Sequence, residues 1–236
     1  MDIQQAIDNY IAAMKHCDNL IATHRAAGSG GRGRRTTETS TNRGTIVLAV
    51  AAWQAFIQDI AIAMRDEALA ELNTVPHARL LPDAMDQWRR DFDSSLEKFS
   101  TPSSENSRNL LKRVGFDPRP SWTWVQNGGH GKAKFVVLPK HVDEVIKQWL
   151  RVRHDVAHGH TTIHSLPVLG VVRDPKASIA AKTAPTLRLT DAIDCTRFFR
   201  SVVRLTGDRA ATHLGSTAPT WDRTPSLTLG LNIAHL

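Results

Sequence analysis

The sequence predicts an all-α fold. Segments 2–26, 141–158 and 190–213 each carry apolar residues at helical spacing along one face. The stretch from Ile46 to Met64 is apolar around most of its circumference, as expected of a helix at the centre of a bundle. Proline and glycine gather instead between residues 100 and 140, which marks an irregular insertion between helices.

The first helix is expected over residues 2–26. Ile3, Ile7, Tyr10, Ile11, Met14, Leu20 and Ile21 form its stripe, and Asp2 is its candidate cap. A glycine- and arginine-rich segment, Gly28 to Arg35, follows as an exposed loop. It lacks the Gly-Lys-Ser/Thr of a phosphate-binding loop, although as a basic arm it suits contact with RNA phosphates. Thr41 or Asn42 is expected to cap a second helix running to about Leu72, with Trp53 and Phe56 in the core. Its longest apolar run, Ile46 to Phe56, is read as too short to span a membrane and is soon followed by Asp59.

A third helix is expected from about Pro82 to Phe99, with Trp88 and Phe92 along it and Arg89 and Arg90 on its outer face. Within the insertion, Glu105 to Val114 reads as a short helix. Trp122 and Trp124 follow in a turn-rich, basic stretch, where packing is favoured over stacking on unpaired bases. A terminal helix from Thr190 to His213 is expected, with Thr190 and Asp191 as its caps. The bundle is thus assigned to residues 1–214, and 215–236 to a disordered tail or a docking arm.

Length and composition suit one globular domain with a sizeable core. A formal charge of +7 is compatible with RNA binding without establishing it. Cys17 and Cys195, the two cysteines, form neither a metal-ligand spacing nor a disulfide framework, which points to a reducing cytosol. The opening Met-Asp-Ile-Gln-Gln has no basic region followed by an apolar run. A cytoplasmic protein with no membrane association is expected.

Chemistry concentrates in Arg153-His154-Asp155-Val156-Ala157-His158-Gly159. The amphipathic helix His141 to His158 should end here, with Gly159 as its glycine cap. His154 and His158, four apart, share one flank. On a wheel of about 100° per residue, Arg153 falls close to the middle of the apolar stripe, between Val145, Trp149 and Val156. An always-charged guanidinium there needs a partner, an outlet past the core edge, or an interface where it meets an anion or a second subunit. Histidine titrates near physiological pH. Two imidazoles beside a fixed cation suit phosphodiester cleavage: one group removes a proton from a hydroxyl, another protonates the leaving oxygen, and the arginine neutralises developing phosphate charge. RNA supplies its own nucleophile in the 2′-hydroxyl, so the reaction requires neither metal nor cofactor.

The segment resembles the R-x-x-x-x-H signature of the HEPN superfamily. The run VIKQWLRVRHDVAHGH is similar to the RiboL-PSP-type subgroup, and TIVLAVAAWQAFIQDI echoes that subgroup's second helix. Gln54 stands where many relatives have glutamate, a departure from the pattern. The resemblance covers roughly Ile3 to Arg209, with a long interruption. It implies an antiparallel helical bundle, commonly a homodimer whose two motifs share a cleft. Active members are metal-independent endoribonucleases, often toxins or antiviral effectors. By that resemblance Arg153 and His158 are the catalytic candidates and His154 is the polar residue between them. RNA is the expected substrate, and an antitoxin or other regulatory protein the expected restraint. Other members only bind RNA or proteins, the alternative reading of this chain. A zinc enzyme using His154, His158, His160 and His164 is disfavoured, because no H-E-x-x-H is present, no cysteine lies near, and Gly159 ends the helix, so that His160 and His164 are expected to diverge from His154 and His158.

Overall fold

The computed structural model describes residues 1–27, 36–72, 74–75, 82–126, 134–160, 163, 187–224 and 226–230. It is an all-α helical bundle: α1 (Ile3–Ala27), α2 (Thr36–Leu72), α3 (Pro82–Glu97), α4 (Ser104–Lys112), α5 (Pro139–Ala157) and α6 (Leu189–His213). The basic segment Gly28 to Arg35 and the residue His164 lie outside the described residues.

α2 is the centre, against which α1, α5 and α6 all pack. Ile46, Val50, Trp53, Phe56, Ile57, Ile60 and Met64 are buried, and Ala49, Ala52, Ala61 and Ala63 let neighbouring helices approach closely. Each large apolar side chain taken out of water stabilises the fold by roughly 1.5–3 kcal/mol. α1 runs antiparallel to α2: the Cys17 thiol reaches the Thr45 carbonyl, and Asn9 Nδ2 donates to Asp59. It also runs antiparallel to α6, since Arg200 Nη2 donates to Asp18 and Gly207 approaches Ile7.

α2 is long and apolar enough to cross a membrane by length and composition, and over half of its most apolar stretch is buried within the bundle. The Ile46–Phe56 run is thus only part of a longer apolar helix. α2 also begins earlier than expected, so neither Thr41 nor Asn42 is its cap. Asn42 is instead buried inside the helix, with Nδ2 donating to the Leu187 carbonyl at 3.2 Å. Asp2 does cap α1, accepting from the Gln5 N–H at 2.7 Å. Thr190 does not cap α6. The cap position is Arg188, whose N–H donates to the Asp191 carboxylate at 2.7 Å. Ser103, unremarked in the sequence, caps α4 by accepting from Asn106 N at 3.1 Å.

The insertion holds α4, a 3₁₀ turn (Arg119–Ser121) and a small antiparallel hairpin, β1 (Trp124–Gln126) with β2 (Phe135–Val137). Three residues per strand leave too short an alternation to stand out in the sequence. Trp122 and Trp124 are buried. The Trp122 ring sits 6.4 Å from Trp53, and its Nε1 donates to Thr206 Oγ1 at 3.0 Å. Both tryptophans are packing anchors, not stacking platforms for bases. The exposed side of the hairpin shows Val125, Val136 and Leu138.

An ionic clamp ties the insertion together. Arg108 forks onto Asp117, Nε to Oδ1 at 2.9 Å and Nη2 to Oδ2 at 2.8 Å. Arg119 next door donates twice to Asp143 on α5. The Arg108 hydrogen bonds hold the Asp117 carboxyl down at about 2, against an ordinary value of 3.8. A folded-state value below the unfolded one contributes stability that is full above the unfolded value and lost as pH falls through the folded one. Thermal stability should therefore drop by on the order of 2 kcal/mol between pH 3.8 and about 2. Melts of wild type beside Asp117→Asn check this: the acid loss should shrink in the variant.

Residues 215–230, where described, run back along the bundle instead of leaving it. Gln4 and Thr220 exchange two hydrogen bonds, and Trp221 Nε1 donates to Asp208 at 2.9 Å. Arg223 pairs with Asp18, and Thr228 N donates to Ser201. Leu229 is fully buried. Gly230 (φ +66°) lies so close to Asp194 that a Cβ would meet its carbonyl oxygen at 2.4 Å. The described part of the tail therefore docks on its own bundle.

Candidate functional site

α5 positions the motif. Its buried residues are Val142, Val145, Ile146, Gln148, Trp149, Val152 and Asp155. Leu138 precedes it as the cap residue and Pro139 opens it, where a missing N–H costs nothing. His141 Nδ1 accepts from the Leu138 N–H at 3.1 Å, so the first turn uses a ring nitrogen where a carboxylate usually serves.

The far end closes on a glycine cap of the Schellman type. Gly159 has φ +71°, its N–H donates to Val156 O at 3.1 Å, and the His160 N–H donates to Asp155 O at 3.0 Å. A left-handed residue at this point is strained for anything with a Cβ. The glycine thus ends the helix at His158 and turns His160 back toward it.

Three imidazoles collect around this cap. The His154 and His158 rings are in contact, 4.2 Å between centroids and inclined by 52°. His160 does not diverge from them as expected: the cap folds it back to 6.3 Å from His158. Both members of the closer pair are exposed. Asp155, a motif residue to which the sequence assigns no role, is only 8% exposed, and its carboxylate lies 3.4 Å from His160 Nδ1. The sequence carried no signal for it: on the wheel of apolar residues Asp155 falls about 135° from the centre of the stripe, on the polar side.

Arg153 is half-buried. Gln148 and Asp155 extend the buried face on the side away from it. The centre of that face therefore lies about 75° from Arg153 on the wheel, which puts Arg153 at the margin and not in the middle of the stripe. Among the described residues its guanidinium has no hydrogen-bond or ion-pair partner. Arg153 and His158 leave the helix about 140° apart. A single helix end therefore directs them to different sides.

Gln54 is not near this end in its bonding. Its Nε2 donates to the Phe99 carbonyl at 3.2 Å, a structural link between α2 and the end of α3. No three His, Cys, Asp or Glu side chains among the described residues are grouped to hold a metal ion. Two surface pockets, one between Tyr10, Arg200 and Trp221 and one between Gln4, Glu67 and Pro219, are lined by the tail and contain no motif residue.

No protein-family model matches the chain, nor does any curated protein or any solved structure. The fold class, an all-α bundle, and the histidine-bearing helix end are the chain's own observations.

Proposed function

We propose that the chain is a metal-independent endoribonuclease of the HEPN type, acting as a homodimer in the cytoplasm. The observation that carries this reading is the contact between the exposed His154 and His158 rings, next in the chain to a half-buried Arg153 with no described counter-ion. Exposed imidazoles in contact exchange protons with a substrate without rearranging the core. A cation at the edge of the core, with its charge unspent, is ready for an anion.

In the proposed step the 2′-oxygen of a ribose attacks the adjacent phosphorus. Its proton passes to an imidazole as the P–O5′ bond breaks, and the departing 5′-oxygen takes a proton from another group. The products are a 2′,3′-cyclic phosphate and a 5′-hydroxyl. His158 of each subunit serves proton transfer, Arg153 stabilises the charged phosphorane, and His154 orients His158 through the ring contact. A nuclease of this kind endangers its own cell, so the proposal includes a role as toxin or antiviral effector and restraint by an antitoxin or other regulatory protein.

The test is purified protein with total RNA in excess chelator, wild type beside Arg153→Ala. Wild type should cleave, and the variant should lose about 10²–10³ in rate, the scale of removing one charge-stabilising donor. Cleavage that requires added divalent metal overturns the mechanism. RNA retained without cleavage favours a non-catalytic HEPN-type binding module.

A further inference from the structure

The outward face of α5 has a composition that the catalytic proposal, which uses only His154 and His158 of it, does not account for. The exposed residues of this helix and its C-terminal cap are Lys140, Lys147, Arg151, His154, Ala157 and His158. Apart from Ala157 these are basic or imidazole side chains. They fall within a sector about 60° wide, on the side opposite the buried face. From Lys147 to His158 they recur about once per turn, over roughly 16 Å of helix.

The acids of the same helix are each engaged. Asp143 accepts from Arg119 at 2.9 and 3.0 Å and from Ser104. Asp155 is buried beside His160. Glu144 accepts from Gln148 and lies 3.5 Å from Lys147, in a pair exposed enough to contribute little and to yield to a phosphate. Among the described residues Lys140 and Arg151 have no ion-pair partner. An ordinary solvated helix face mixes signs, as α3 does with Asp86, Asp91 and Asp93 beside Arg89 and Arg90.

We propose that this face of α5 is a track for single-stranded RNA, on which Lys147 and Arg151 hold successive phosphates and deliver the strand to the histidine pair. The proposal rests on the ribonuclease reading for what happens at the end of the track, but not for the binding itself. An extended strand presents a negative charge at each nucleotide, and a row of cations one helical turn apart is complementary to it. The ladder ends at His154 and His158, so a strand bound along it passes across the candidate cleavage residues.

The experiment compares wild type, the double variant Lys147→Gln/Arg151→Gln, and a control of equal charge loss, Arg89→Gln/Arg90→Gln on α3. Binding is read by fluorescence anisotropy with a labelled 2′-O-methyl oligouridylate, which cannot be cleaved through its 2′-oxygen. Cleavage is read with the matching RNA. In the α5 variant the Kd and KM should rise about tenfold at moderate salt, with kcat within about twofold. The slope of log affinity against log salt should fall by about 1.4, two phosphate contacts at 0.7 each. The α3 control should behave as wild type.

Equal losses in both variants reduce the effect to net charge and overturn the track. Unchanged binding in the α5 variant also overturns it and leaves the face to another occupant, such as an acidic protein. Track-dependent binding without cleavage by wild type supports the track while removing the ribonuclease reading. Failure of wild type to bind the oligonucleotide removes the track whether or not RNA is cleaved.

Discussion

His158→Ala should lower RNA cleavage by about 10²–10⁴-fold, the usual contribution of one acid–base group, and leave the fold intact. The two halves of that expectation have separate grounds. His158 is exposed and closes α5 as its cap residue, and the cap is made by backbone: its N–H donates to the His154 carbonyl at 3.0 Å. Alanine keeps that donor. The Gly159 and His160 N–H groups that complete the cap are unaffected as well. What alanine removes is the ring that touches His154. Single-turnover cleavage, circular dichroism and urea denaturation should therefore diverge, with the first falling and the others holding. A variant as active as wild type would remove His158 from the chemistry. A variant that unfolds would mean that the ring, not the backbone, secures the helix end.

The helices were legible because each buries one face. The stripes of α1, α5 and α6 register as a 3.6-residue period, and α2 registers by having almost no polar side. What escaped depends on contacts between segments distant in the chain. Asn42 has the side chain of a cap, yet its amide is spent on Leu187, more than a hundred residues away, so the helix continues through it. Leu229 and Gly230 read as part of a disordered tail or a docking arm until Ser201, Gln126 and Asp194 are brought beside this stretch. The hairpin has too few residues to show a period.

At the candidate site the motif and its glycine cap could be read directly, because both are local. The setting of Arg153 could not. A wheel built from apolar residues alone centres the stripe near Arg153, whereas Gln148 and Asp155 are also buried and rotate the true face away. That rotation changes the physical argument. A guanidinium in the middle of a core would need a buried counter-ion. At the margin its stem can pack while its head remains available to a phosphate or a partner subunit.

Trp53→Ala should cost about 3–5 kcal/mol of stability, a large share of the roughly 5–15 kcal/mol that holds a typical domain together. Trp53 is fully buried on the central helix and meets three other aromatic rings: Phe56 at 6.3 Å, Trp122 at 6.4 Å and Phe199 at 5.9 Å. Its Nε1 also donates to the Pro102 carbonyl at 3.0 Å. One side chain therefore joins α2 to two points of the insertion, Pro102 and Trp122, and to α6. Removing it leaves a void that three rigid neighbours cannot close and a buried carbonyl without its donor. Trp53→Phe keeps most of the apolar contact and loses the hydrogen bond, so it should cost only about 1–3 kcal/mol. Urea denaturation of the three proteins should rank them wild type, phenylalanine, alanine, with a drop in Tm of roughly 10 °C for alanine. Trp53 touches no residue of the histidine-bearing helix end in these contacts. At a temperature where the alanine variant is still folded, its cleavage rate should accordingly match wild type. A loss of less than about 1 kcal/mol in Trp53→Ala would show that the insertion is held elsewhere. In that case the Asp117 and Asp143 clamps, not the aromatic cluster, would be what keeps α4 and the 3₁₀ turn against the motif helix.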